Sequence, residues 1–240
     1  NARQATRAMV ESQRVMRAWL ARVDPASGLL PHRGVFQGSR PDPSWVVANT
    51  AADLYPFMVM AARLTEPATY HGAMLDILRQ ETLLTTRVGR LSDDVQGGGT
   101  AFVRAAPDMD AIVFGSSEYM TDGLVPLTEL FGDTPWYHRM EGIATEINGN
   151  MLQVLSRLYF RTGTPAYRDQ VLAIADFYFL DMLPSTQYLP VDRWDTATRR
   201  PLTTRFVLSD HGNEIVGGLS EAFVLAMHVR PDKAAEYRPA

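Results

Sequence analysis

The sequence predicts an all-α fold built from repeated helical hairpins, and three observations carry that prediction. The run Ala62-Arg63-Leu64-Thr65-Glu66-Pro67-Ala68-Thr69-Tyr70 recurs as Phe160-Arg161-Thr162-Gly163-Thr164-Pro165-Ala166-Tyr167, and again as Leu130-Phe131-Gly132-Asp133-Thr134-Pro135-Trp136-Tyr137. Each copy is an apolar helix end, a short turn with Pro, and a second helix with an aromatic residue near its start. Between the turns, apolar residues recur at the three-to-four spacing of amphipathic helices. Finally, four stretches that open hairpins are rich in Asp, Glu, Asn or His. They are Asn49 to Asp53, Ser116 to Tyr119 with Asp122, Glu146 to Asn150, and Ser209 to Glu214. Hairpins standing side by side would bring those starts to one rim. The spacing of the units varies from roughly 30 to 70 residues, so a fixed-period solenoid is excluded.

The elements follow in order. Met9, Val10, Gln13, Met16, Trp19 and Leu20 make residues 3–22 an amphipathic lead helix, ended by Asp24-Pro25-Ala26-Ser27-Gly28. Residues 29–44, rich in Gly and Pro, read as loop. Hairpin one runs from Asp53 to Leu64 and returns from Ala68 to about Val88. Pro56 falls in its first turn, where a missing N–H costs nothing, and sets the helix start near Ala52. A loop from Leu91 to Ala111 carries Asp93-Asp94 and Gly97-Gly98-Gly99, long enough to be a functional loop. Hairpin two is Tyr119 to Phe131 and Trp136 to about Glu146, with Gly132 as a left-handed C-cap and Thr134 as N-cap. Hairpin three is Met151 to Thr162 and Ala166 to Met182. Leu189 to Val207 alternates loosely and reads as a small β-hairpin or ordered loop. A fourth hairpin starts at His211, turns at Arg230-Pro231-Asp232 and runs to the last residue. The whole of 1–240 reads as one domain.

Composition narrows the function. A net charge of −4 over 240 residues disfavours a nucleic-acid footprint. The absence of cysteine removes disulfides, thiolate metal sites and a cysteine nucleophile. No apolar run approaches the length of a membrane span, about 18 residues, so no membrane partner is expected. An opening at Asn1 without Met fits a processed start, and with it a secreted or periplasmic protein. The five histidines are scattered, no His-Glu-x-x-His or Gly-x-Ser-x-Gly occurs, and Gly97-Gly98-Gly99 lacks the Lys of a phosphate loop. Neither a metal nor a cofactor is expected. Asp93-Asp94 reads as a solvated carboxylate pair that needs no ion.

The unit Leu155-Ser156-Arg157-Leu158-Tyr159-Phe160-Arg161-Thr162-Gly163-Thr164-Pro165-Ala166-Tyr167, continuing to Ala175-Asp176-Phe177-Tyr178, resembles the repeat of the α/α-toroid, or six-hairpin, carbohydrate-active enzymes. The phrases Gly28-Leu29-Leu30-Pro31 and Gly123-Leu124-Val125-Pro126 are similar to members of that group. The resemblance implies an (α/α) toroid whose inner-helix N-termini and preceding loops line a sugar-binding funnel. A complete toroid has six hairpins; this chain has a lead helix and about four, which leaves closure of the ring open.

That resemblance implies an oligo- or polysaccharide substrate and, first, a glycoside hydrolase, which needs one carboxyl as acid and another as base or nucleophile. Glu118 or Asp122 and Glu214 or Asp210 are the candidates. Asp53, Asn148, His211, Tyr55, Trp45, Trp194 and His32 would position the sugar, the aromatic residues by stacking. A polysaccharide lyase or sugar epimerase would lean instead on His211 with a Tyr. A non-catalytic scaffold would bind glycan or protein through the same rim. Helix capping competes for every Asp and Asn at a helix start.

Overall fold

A computed structural model describes residues 1–34, 40–144, 151–191, 193–195, 197–206 and 211–240, with the backbone alone at 211–214. Of the described residues 66% are helical, with two small two-stranded sheets, as the all-α prediction requires. Its contacts group into two compact units, Asn1–Glu146 and Ile147–Ala240.

The first unit opens with α1 (Ala2–Leu20), which packs on α2 (Tyr55–Thr65). Of the stripe read from sequence, Met16 is buried while Met9 and Val10 are exposed. The first helix of hairpin one begins earlier than Pro56 indicated. A π-helical stretch, π1 (Val47–Leu54), leads straight into α2, so Pro56 lies well inside one helix. Its return arm is α3 (Pro67–Thr69), π2 (Tyr70–Met74) and α4 (Leu75–Thr85). The loop expected from Leu91 begins as the second strand of a hairpin, β1 (Thr86–Val88) with β2 (Leu91–Ser92). Gly89, with φ +55, occupies the first position of its two-residue turn and supplies the positive φ such turns require.

Hairpin two also starts earlier than expected. α5 (Met109–Glu118), capped by the Asp108 carboxylate on the Ala111 N–H at 3.2 Å, continues through π3 (Tyr119–Leu124) into α6 (Val125–Phe131). Gly132 ends it at φ +78, but with ψ −142 rather than the left-handed cap expected. α7 (Pro135–Ala144) follows, and the Thr134 hydroxyl accepts from the Tyr137 N–H as an N-cap should.

The second unit contains α8 (Leu152–Thr162), α9 (Pro165–Asp176), π4 (Phe177–Met182), α10 (Leu183–Ser185), α11 (His211–Val229) and α12 (Pro231–Tyr237). Gly163 caps α8 in the left-handed conformation, φ +68 and ψ +9, which glycine adopts without strain. The segment read as a small β-hairpin forms one, β3 (Trp194–Asp195) against β4 (Arg200–Pro201). Its turn is tied by the Asp195 carboxylate, which accepts from the Ala197 and Thr198 N–H groups.

Three of the four described π-helical stretches share a physical cause. π1, π3 and π4 each end two residues before a proline, at Pro56, Pro126 and Pro184. Proline offers no N–H and its ring collides with the carbonyl four residues back, so the turn before it widens rather than breaks. Reading Pro56 as a helix-start marker moved the start of that helix too far along the chain.

Candidate functional site

Two of the four polar stretches lie together in the first unit. The helix formed by π1 and α2 packs beside the one formed by α5, π3 and α6. A Cβ on Gly115 would stand 3.2 Å from the Val47 Cβ, and one on Gly123 would stand 2.8 Å from the Pro56 ring and 3.1 Å from the Ala52 carbonyl. Contact thus advances in the same direction along both helices, which run parallel. Absent side chains at Gly115 and Gly123 allow this approach. Asn49 to Asp53 and Ser116 to Asp122 consequently lie on neighbouring helices.

The second of these stretches is not a helix start. Glu118 ends α5 and Asp122 sits within π3, both more than two turns beyond the true start at Met109. Glu118 is buried, at 8% exposure, whereas Asp53 and Asp122 are open to solvent. Ser116 has a structural role, because its hydroxyl accepts from the Ser92 N–H at 3.0 Å and fastens α5 to β2.

The aromatic residues expected to stack on sugar in this unit are core. Trp45 is 1% exposed and Tyr55 fully buried, their ring centroids 6.0 Å apart, so neither offers an open face. The Tyr55 hydroxyl donates to the Met74 carbonyl at 2.7 Å and accepts from the Trp136 indole N–H at 2.8 Å. Burial pushes its phenol well above the ordinary range; the Trp136 bond opposes that and nearby Glu81 adds to it. Burial and Glu81 act likewise on Tyr119.

Glu81 is itself fully buried and takes the Arg139 Nε on both oxygens, at 2.9 and 3.2 Å. The remaining Arg139 nitrogens reach the Arg90 carbonyl and the Ser92 hydroxyl. One guanidinium therefore ties α4, α7 and the β1–β2 hairpin together. Sequence reading missed this pair, since a Glu and an Arg 58 positions apart carry no local signal.

The Asp93-Asp94 pair is not solvated. Asp93, 2% exposed, accepts from Arg87 at 2.6 Å and Arg104 at 2.8 Å. Asp94 accepts from the Val47 N–H at 2.8 Å, capping π1 from across the unit, and faces Arg104 at 3.1 Å. Two guanidiniums supply the countercharge a metal would otherwise bring. Among the described residues no group of three or more acidic or histidine side chains is placed to hold a metal ion.

A cavity of about 630 Å³ opens where the loops before π1 meet the 93–105 loop, lined by Asp24, Asp42, Pro43, Ser44 and Gln96 to Gly98. The Ser27 N–H holds the Asp24 carboxyl below its usual range against the opposing effect of burial, with the Ser27 hydroxyl and Ala26 N–H assisting. For Asp42, burial acts upward but is outweighed by the Ser44 hydroxyl and N–H, then by His32 and Arg33. Both carboxyls thus stay ionised and can accept from hydroxyl groups. The sequence carried a signal for them in Asp24-Pro25 and Asp42-Pro43, which reads only as turn chemistry. His32 stands beside Asp42, half-buried, with its backbone N–H on the Ser44 carbonyl and its side-chain Nδ1 unpartnered among the described residues.

In the second unit, Trp194 is half-buried on β3, edge-on to Phe177 at 5.6 Å. His211 opens α11 as expected, but its side chain and that of Glu214 lie outside the described residues, as do Asp210 and Asn148 entirely. Gly217 and Gly218 serve close packing of α11 on α8: added Cβ atoms would meet Gln153 at 2.5 Å and Leu152 at 3.0 Å. No helix of the described residues is long and apolar enough to cross a membrane. Comparison with protein-family models, with curated proteins and with solved structures returned no match.

Proposed function

We propose that the chain is a carbohydrate-active enzyme working on oligo- or polysaccharide, in the first instance a glycoside hydrolase. The observation that supports this reading is the parallel pairing of the two hairpin-opening helices. It sets a sheltered carboxyl, Glu118, on one helix and solvated carboxyls, Asp53 and Asp122, on the same pair of helices. Hydrolysis divides its labour in that way, with a carboxyl kept from water as acid and an open one as base or nucleophile. Asp24 and Asp42, held ionised at their cavity, would bind sugar hydroxyls. Asp210 and Glu214, nominated from sequence, lie outside the described side chains, and substitution of Glu214 tests them directly.

The test is turnover of a glycan panel by Glu118→Gln, Asp122→Asn and Glu214→Gln, with folding checked by circular dichroism. Loss of an acid–base group lowers the rate by about 10²–10⁴-fold. Full activity in both Glu118→Gln and Glu214→Gln sinks the hydrolase reading. An unsaturated or epimerised product would move the assignment to lyase or epimerase, and glycan binding without turnover to a scaffold.

A further inference from the structure

The two hairpin-opening helices of the first unit are joined by more than their own contact. A four-residue segment, Ser92 to Val95, leads from β2 into the long loop and is fastened to both. The Ser92 N–H donates to the Ser116 hydroxyl on α5 at 3.0 Å. Val95 makes a two-bond bridge with Trp45, at 2.8 and 3.0 Å, just before π1. Between these ties the Asp94 carboxylate accepts from the N–H of Val47, the first residue of π1, at 2.8 Å. Ser116 follows Gly115, whose missing side chain admits Val47. The segment therefore meets the helices at one level, where they touch.

That level sets the height of the carboxyls. Asp53 is six residues beyond Val47 and Asp122 six beyond Ser116, so on parallel helices the two stand at one height. The approach of Gly123 to the Ala52 carbonyl, one residue from each, agrees with this. Asp94 is itself held in place. Its other oxygen faces Arg104 at 3.1 Å, and the same guanidinium takes buried Asp93 at 2.8 Å. The Val103 N–H donates to the Asp94 carbonyl at 2.9 Å, which brings Arg104 back to the start of its own loop. Arg87 secures the arrangement through Asp93 at 2.6 Å and the Arg104 carbonyl at 2.9 Å.

We propose that Asp94 and Arg104 are positioning residues for the carboxyl pair. By fixing Val47 against Ser116 they hold Asp53 level with Asp122 and both in register with Glu118. The inference rests on the hydrolase reading for its chemistry, not for its geometry. Neither residue is asked to touch sugar. A slip of one residue along a helix axis is about 1.5 Å, and a misplacement of about 1 Å is enough to cost about 10²-fold in rate. A carboxylate suits the grip on a helix's first N–H, and a guanidinium can hold two carboxylates at once.

The chain contains no cysteine, so Asp53→Cys with Asp122→Cys takes spin labels at those two sites alone. Frozen-solution EPR should show dipolar broadening between the labels. Asp94→Ala and Arg104→Gln should both reduce it, with circular dichroism confirming the fold, and Arg104→Lys, which keeps the cation, should restore it. Thr134→Ala removes a helix N-cap elsewhere in the same unit and should leave it unchanged. In the unlabelled chain, Asp94→Ala should lower kcat on a glycan that is turned over by about 10²-fold at unchanged KM. Broadening that survives both Asp94→Ala and Arg104→Gln overturns the proposal, as does an equal loss in Thr134→Ala. Reduced broadening with unchanged kcat overturns it too, since a purely structural tie behaves in that way. The label measurement needs no substrate, so it decides the geometry even where no glycan is turned over and the hydrolase reading falls.

Discussion

At the residue scale the buried polar groups matter most. Glu81 and Arg139 are a buried pair, and deleting one partner leaves an uncompensated charge; breaking such a pair costs about 3–5 kcal/mol. Arg139→Ala should therefore lower the urea midpoint by a large fraction of total stability, and an unchanged midpoint would show that the pair is dispensable. Asp24 and Asp42 give a pH dependence with a definite sign. Their carboxyls lie below the ordinary 3.8 in the folded chain, so their stabilisation is present above that value. It is lost as pH falls further through the folded values. Asp24→Asn with Asp42→Asn should flatten the fall of stability with pH below 3.8, read by thermal melts across an acid series. Of the residues nominated from sequence, Tyr55 and Trp45 turned out to be core, because an aromatic residue in a loop or helix start carries no mark of which way its ring points. Asp53 and Asp122 stayed on the surface, as charged side chains generally do.

At the element scale, helices and turns were legible where local chemistry decides them. The Thr134 N-cap and the β3–β4 hairpin both follow from residues within a few positions of each other. The beginnings of π1 and α5 were not, because Pro56 suits the first turn of an α-helix and here follows a widened turn, and the polar residues before Tyr119 lie inside a continuous helix. The cap of π1 was hidden too, since Asp94 lies 47 positions from the N–H it serves. Asp94→Ala should cost about 1 kcal/mol by uncapping that helix. At the helix crossing, Gly123→Ala places a methyl 2.8 Å from the Pro56 ring and 3.1 Å from a carbonyl. Overpacking of this kind costs about 1–3 kcal/mol, and chemical denaturation measures both variants.

On the scale of the whole molecule, a helical chain of repeated hairpins was readable from the recurring helix–turn–Pro–helix phrase, while its grouping into two compact units was not. Repeats report what each hairpin is, not which of them share a core. Trp136 is wholly buried in the first unit against Tyr70 and Tyr55. Trp136→Ala should cost about 3–5 kcal/mol there. Hydrogen exchange should then speed in α2, α4 and α7 and hold steady in α8 and α11; equal acceleration in both sets would show one cooperative core instead.

The widened turns also make helix phase a matter of residue count. A π turn holds one residue more than the α turn it replaces, so removing a single residue from π1 would restore regular winding ahead of Pro56. Everything before the deletion would rotate by about 100° relative to α2. Val47 would leave Gly115, its N–H would leave Asp94, and the exposed acidic edge would swing away from its partner helix, while Gly123 kept its place beside Pro56. In this protein one residue in a helix works like a tooth on a gear, setting which side chains two parallel helices present together.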